Sequence, residues 1–536
     1  MATISRTMLL LAIGCAAMLN SLLGDEPAEK KGPPFTISKE TTYLTEPLDS
    51  AGYPDYWEAI DRRAREGVTV ENNAFIAILR LTGPARIPVE SLDAIVKRLA
   101  IEPVKETDDS FIGSVPFYFA EARKNDPVPN GLLPPPPPPF GPENPENEFA
   151  AQFDRAKERP WTSNELPVVA KWLARNDKVV KGLGAALAKP RYYVPVMRST
   201  DKTLEDLTAI VSFETNSLLI DLAYLLLTHG MHRIGSGDAA GATADAILLR
   251  QLAKQTASQP FMVDSIIACS FDAMATRLDG AILHRGKLTA AQIREYQARV
   301  AQFRKLPPQS SYDECDQLFS LADLTRVARR GKVVDAIMGI LPERNPEGDF
   351  LSELCQACDW DTVLREQRVA SDEYHRIGLE TDWKRRDERL KQWEMDRETR
   401  HQSETRDLAD WARAIVDHQK LRQKLGRQFF YRYGKYTEFA TGNFWRSDET
   451  HIVQRELLRI AFALAQFRAD HDRYPASLAD LTPKYLASLP KDPYTSKDYL
   501  FRTEGKGLVV YSVGPDEKDD LADPEIPQKD IFLRMW

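Results

Sequence analysis

The stretch His471–Asp520 reads HDRYPASLADLTPKYLASLPKDPYTSKDYLFRTEGKGLVVYSVGPDEKDD. Just before it, Ile452, Leu457, Leu458, Ala461, Leu464, Ala465 and Phe467 recur at helical spacing, which predicts a helix over Glu449–Asp472. Tyr474-Pro475 ends that helix, and Ser477 is placed to cap a short one at Leu478–Leu481. Pro490 and Pro493 exclude helix from the next segment. Tyr499–Arg502 and Leu508–Val513 are apolar runs flanking Glu504-Gly505-Lys506-Gly507, which predicts a β-hairpin. Asp530–Trp536 predicts a last strand at the sheet edge. Residues 446–536 therefore read as a small α+β domain.

Working outward, a chain of 536 residues has room for two to four domains by the rough rule of ~100–200 residues each. Its net charge of −8 argues against a general nucleic-acid binder. Five cysteines do not make a disulfide scaffold. At the start, Arg6 precedes the apolar run Met8–Leu23, shorter than the ~20 residues of a membrane span. Residues 1–24 thus read as a signal peptide or an N-terminal anchor. Leu22-Leu23-Gly24 is a fair cleavage site, and Ala12-Ile13-Gly14-Cys15 approximates a lipoprotein box.

Residues 25–40 are a polar linker. Residues 41–125 form an N-terminal helical region, with helices predicted at Tyr56–Arg65, Val70–Leu81 and Ile87–Leu99. Asn72-Asn73 reads as a first-turn cap and surface feature. Residues 126–147 are an insertion whose uninterrupted run Pro134–Pro139 favours polyproline II. Residues 148–370 are a helical body without a strict repeat. Within it Thr162-Ser163-Asn164-Glu165 and Thr289-Ala290-Ala291-Gln292 read as capping boxes, and Ser217–Leu227 as a buried core helix. Ala239–Thr256 and Phe261–Leu283 read as an antiparallel pair. Residues 371–445 alternate charges densely, predicting a long exposed helix that docks at its C-terminal end, plus a connector.

Candidate chemistry is sparse. Cys355-Gln-Ala-Cys358 lies inside a helical pattern, where three-residue spacing puts both sulfurs on one face; it reads as buried thiols or a local disulfide. His229 and His232 read as helix-terminus residues. Asp359 and Asp361 do not share a helix face and make a poor carboxylate dyad. No nucleophile, zinc or phosphate-loop motif occurs, so no catalytic residue is assigned.

The C-terminal domain resembles the C-terminal half of the major pseudopilins of type II secretion. The resemblance rests on Arg473-Tyr474-Pro475, Leu478, Leu481, Leu489-Pro490, Asp492-Pro493, Tyr499, Tyr511-Ser512-Val513-Gly514-Pro515-Asp516 and Asp519-Asp520. It implies a calcium-binding loop after the second strand, with Asp516, Asp519, Asp520 and Asp523 as the ligands; a solvated acidic turn is the equal alternative. The assembly helix of that family does not directly precede this domain, and Leu521 stands where glycine is usual. ISKETTYLTEPLDSAGYPDYWEAIDRRAREGVTVENNAF, KERPWTSNELPVVAKWLARNDK, KPRYYVPV and CDWDTVLRE resemble a family of exported planctomycete-type proteins without an established activity.

The expected fold is mainly α: a multi-helix, solenoid-like body followed by a small α+β pseudopilin-like domain with a short antiparallel sheet. The expected protein is a non-enzymatic, exported periplasmic or cell-envelope protein. Its expected partners are other envelope proteins and no nucleic acid, with membrane association only through the N-terminal segment if that is retained or lipidated. An exported hydrolase with a site in the helical body, or a type II secretion-associated component, are the alternatives.

Overall fold

The computed structural model describes residues 32–84, 87–107, 109–114, 148–197, 211–303, 305–331, 333, 346–437, 441–504, 507–523 and 530–535. The expected export signal and the Pro134–Pro139 run lie outside them. Among the described residues the chain is mainly helical, with one small three-stranded antiparallel sheet.

The N-terminal region contributes α1 (Tyr56–Ala64), α2 (Ala74–Thr82) and α3 (Val89–Leu99). Helix α2 starts later than predicted because Asn73 is its cap: Asn73 Oδ1 accepts from Phe75 N at 3.0 Å. Asn73 is also 1% exposed, which corrects the surface reading. Its side-chain amide mimics a peptide group, donating to Tyr193 O at 2.8 Å and accepting from Tyr193 N at 3.0 Å. The extended segment at Tyr193, paired at Arg191 by an isolated bridge to Asn73, has its next backbone groups satisfied in this way.

The body follows as α4 (Glu148–Glu158), α5 (Pro167–Arg175), α6 (Asp177–Leu187), α7 (Val211–Gly235), α8 (Ala239–Thr256), α9 (Met262–Arg285) and α10 (Ala290–Ala301). Thr162 and Glu165 do pair, with Thr162 N donating to Glu165 Oε2 at 2.7 Å, but they close a turn. The helix itself starts at Pro167, whose missing N–H costs nothing in a first turn. Thr289 and Gln292 cap α10 reciprocally, as predicted. Leu218, Leu219, Leu222, Leu225, Leu226 and Leu227 on α7 are all buried. No helix among the described residues is long and apolar enough to cross a membrane.

Then come α11 (Asp313–Arg330), α12 (Pro346–Ala357), α13 (Trp360–Gly378), α14 (Trp383–Arg406), α15 (Leu408–Ile415) and α16 (His418–Thr437). The charged segment is thus several helices, broken at Leu379–Asp382, where Asp382 caps α14. Only Leu390 is buried on α14. Docking at the C-terminal end alone is corrected, because α14 is fastened at its N-terminus too. Trp383 Nε1 donates to Pro493 O at 2.9 Å, and the Trp383 ring meets Tyr494 edge-on with centroids 4.7 Å apart.

The chain closes with α17 (Thr441–His471), a 3₁₀ turn at Leu478–Leu481, β1 (Leu500–Glu504), β2 (Gly507–Ser512) and β3 (Ile531–Met535). The sheet order is β1-β2-β3, with Phe501 opposite Val510 and Val510 opposite Leu533. Strand alternation splits its faces. Leu508, Val510, Leu533 and Met535 enter the main core, while Val509 and Tyr511 cover Ala522 on the other side.

Two cores result. The larger runs from Ala74 through α2, α5–α10 and α17 to Met535, so the C-terminal strands share it with the helical body. The smaller joins Phe35, Tyr56, Ile60 and helices α11, α12, α13 and α16. Strand β3 packs on α17 and on α9.

Candidate functional site

The acid loop hangs between β2 and β3. Gly514 turns the chain at φ 68°, and Glu517, Leu521 and Ala522 also take positive φ. The aspartates shape this path: Asp516 Oδ1 accepts from Lys518 N at 3.1 Å, and Asp519 Oδ1 from Leu521 N at 2.9 Å. Asp520 O accepts from Asp523 N at 3.2 Å. Arginine side chains occupy two further carbonyls of the loop. Leu521 O accepts from Arg502 Nη2 at 2.7 Å, and Ala522 O accepts from Arg534 Nη2 at 2.5 Å.

The sequence reading did not include Asp530 in this group. Asp530 Oδ2 accepts from Ala522 N at 2.6 Å. Burial raises its carboxyl above the ordinary range, and the neighbouring Asp519 and Asp520 charges add to that. The signal in sequence was only an acid at the start of the edge strand. Among the described residues no three His, Cys, Asp or Glu side chains are grouped closely enough to hold a metal ion as they stand.

Cys355 and Cys358 sit at the C-terminal end of α12 and are free thiols. Both are buried, Cys358 Sγ facing Cys355 O at 3.6 Å. Burial pushes the Cys355 thiol up to about 12, and the Cys358 thiol well above its ordinary value. A helix C-terminus adds no stabilisation for a thiolate. Cys269 and Cys315 are also free thiols.

The histidines of α7 are anchors between helices. His229 Nδ1 meets Asp245 Oδ2 at 2.9 Å, and Arg233 Nη1 donates to Asp245 Oδ1 at 3.1 Å. His232 Nε2 lies 2.8 Å from Ser163 Oγ. Asp359 and Asp361 part company as expected: Asp359 caps α13, whereas Asp361 accepts from Thr36 N at 2.6 Å and Thr36 Oγ1 at 2.8 Å.

What sequence reasoning missed is the ionisable stripe of α9. Asp264, Asp272 and Asp279 are all buried. Their spacings of eight and seven residues place them roughly on one face. Asp279 takes Arg250 of α8 and the Tyr296 hydroxyl of α10. Burial works against the Arg250 charge, but Asp279 and Asp272 outweigh it and the guanidinium stays ionised. Asp272 lies 3.5 Å from Arg250 Nε, 3.5 Å from His451 Nδ1 and 3.9 Å from Arg455 Nη1. The one sequence clue was this acid spacing inside an otherwise apolar helix.

No protein-family model, curated protein or solved structure matches the chain.

Proposed function

We propose that the chain is a non-enzymatic, exported cell-envelope protein in which a helical, solenoid-like interaction scaffold carries a pseudopilin-like module that binds calcium. The observation that carries this reading is the three-stranded sheet packed on α17, with the acid loop suspended between β2 and β3. The Tyr474-Pro475 turn, the 3₁₀ turn and the hairpin follow α17 in the order the resemblance requires. The scaffold reading is supported by helices packed pairwise, α8 on α9 and α13 on α16.

Calcium is supported by the chemistry of the donors. Asp516, Asp519, Asp520 and Asp523, joined by Asp530, offer oxygen ligands only, which suits a hard cation. A divalent charge there relieves the repulsion that helps hold the Asp530 carboxyl up. The scaffold's partners are other envelope proteins.

Fractionation of cells that express the native chain tests the location. The expected result is recovery with the envelope or periplasm, together with protease accessibility after the outer layer is opened. Recovery with a cytoplasmic marker overturns the reading.

A further inference from the structure

Between the two cores runs a seam built from acids. Helix α9 enters it at Asp264, just after Phe261 of the smaller core and about two turns before Phe271 of the larger. Helix α11 enters at Asp313 and Asp316, before Leu318 of the smaller core; α17 enters at Asp448, before Val453 of the larger. Asp264 and Asp316 share the Phe261–Met262 turn, Asp448 holds the backbone just before α11, and Asp313 is within electrostatic reach of both Asp316 and Asp448, so the four carboxylates gather where the two cores abut.

The backbone pins them. Asp264 accepts from Phe261 N at 3.3 Å and from Asn216 Nδ2 of α7 at 3.1 Å. Asp316 accepts from Met262 N at 3.3 Å, and Asp448 from Gln309 N at 2.8 Å. Asp313 meets His375 Nδ1 of α13 at 2.6 Å. The basic side chains facing this group are His375 and Arg386, and Arg386 is shared with Glu449. Tyr192, Tyr312, Cys269 and Cys315 are the other titratable neighbours, and all four are neutral when protonated.

A second observation points to what such a seam binds. Gln309 is fully buried, and no donor among the described residues reaches its Oε1. Its amide nitrogen is held by Ser265 Oγ at 3.2 Å, next to Asp264, and its backbone nitrogen is on Asp448. Asp313 Oδ1 is likewise buried without a donor among the described residues, on a side chain 7% exposed. Unpartnered acceptors among carboxylates lack a donor that a carboxyl proton supplies.

We propose that the seam is a proton-operated latch: protons held by Asp264, Asp313, Asp316 and Asp448 join α9, α11 and α17, and their loss in alkaline solution loosens one core from the other. The electrostatics agree in direction. Burial pushes Asp264 up to about 7 and Asp313 and Asp448 up to about 6, and carries Asp316 well above the ordinary carboxyl value. Folded values raised above the unfolded ones mean that the folded state holds these protons more tightly. The stability they contribute is complete below the unfolded value and is lost as the pH rises through 6 to 7.

Cys269 and Cys315 report on the seam, since Asp448 faces the first thiol and Asp316 the second. Cys355 and Cys358, inside the smaller core, are the internal reference. The test is peptide-resolved alkylation of the full chain in EDTA, at about pH 5.5 and about pH 8. Each rate is divided by that of the same thiol in denaturant at that pH, which removes the thiolate fraction. The expected result is a rise of about tenfold for Cys269 and Cys315 relative to Cys355, the factor one pKa unit is worth. In Asp264→Asn and Asp316→Asn the rise shrinks, because a neutral amide has no proton to lose; Asp448→Asn replaces either one that fails to fold. A pH-independent ratio in the natural chain, or an undiminished rise in the amide variants, overturns the latch. EDTA keeps this result separate from calcium binding at the acid loop.

Discussion

The carbonyl oxygen of Arg534 lies 2.1 Å from the point where a Cβ on Gly280 would stand. Strand β3 therefore runs against the backbone of α9, and the glycine is what lets the sheet seat on the helical body. The Gly280→Ala substitution gains about 1 kcal/mol of helix propensity but forces backbone apart, where overpacking typically costs about 1–3 kcal/mol or more. The expected outcome is net destabilisation by about 1–2 kcal/mol in chemical denaturation of the full chain. A stabilised variant would show that β3 is not seated there.

The Arg250–Asp279 pair is fully buried and shares the Tyr296 hydroxyl. Removing the acid alone, as in Asp279→Ala, leaves the buried guanidinium with the more distant Asp272, 3.5 Å from its Nε, in place of its close partner, and is expected to cost about 3 kcal/mol. The paired change Arg250→Met with Asp279→Leu is expected to recover most of that loss. Denaturation midpoints of the two variants check the claim, and a paired change as damaging as the single one would contradict it.

Tyr474 closes the turn after α17 by reaching the end of α9. Its hydroxyl lies 2.9 Å from His284 Nδ1, and Arg468 Nη1 donates to that hydroxyl at 3.0 Å. Burial first, then Arg468 and Arg285, hold His284 down to about 4. A folded value below the unfolded one means that the unfolded chain takes up the proton first. Stability is therefore lost as the pH falls from 6.5 towards 4, and the loss levels off below that. In His284→Asn this acid limb is expected to be shallower than in the natural chain. Urea midpoints across that range measure it, and equal slopes would refute the assignment.

Cys355 and Cys358 are expected to resist thiol reagents in the native chain at neutral pH, with labelling that speeds up only on unfolding. Rapid modification of either thiol in the folded protein would contradict the buried-thiol reading.

Much of the fold was legible because it follows from local periodicity. The reading of Ala239–Thr256 matches α8 residue for residue, and the hairpin and last strand lie within about two residues of prediction. Thr289 announced the start of α10. What was not legible depends on partners distant in sequence. Asn73 looks like a surface cap until Tyr193, 120 residues on, supplies the groups that bury it. Asp264 and Asp279 look like solvent-facing helix residues until Asn216 and Arg250 arrive 48 and 29 residues away. The acid loop was legible in its aspartates. The arginines that take its carbonyls, Arg502 and Arg534, come from β1 and β3, and only strand pairing brings them there.

Calcium titration of the full chain, followed by its melting temperature, tests the proposed module most directly. The full chain is needed because the C-terminal strands share their core with α9. Millimolar calcium is expected to raise the melting temperature by linkage, and Asp519→Asn with Asp520→Asn is expected to abolish the rise. An unchanged melting temperature in the natural chain, or an equal rise in the double variant, would contradict it.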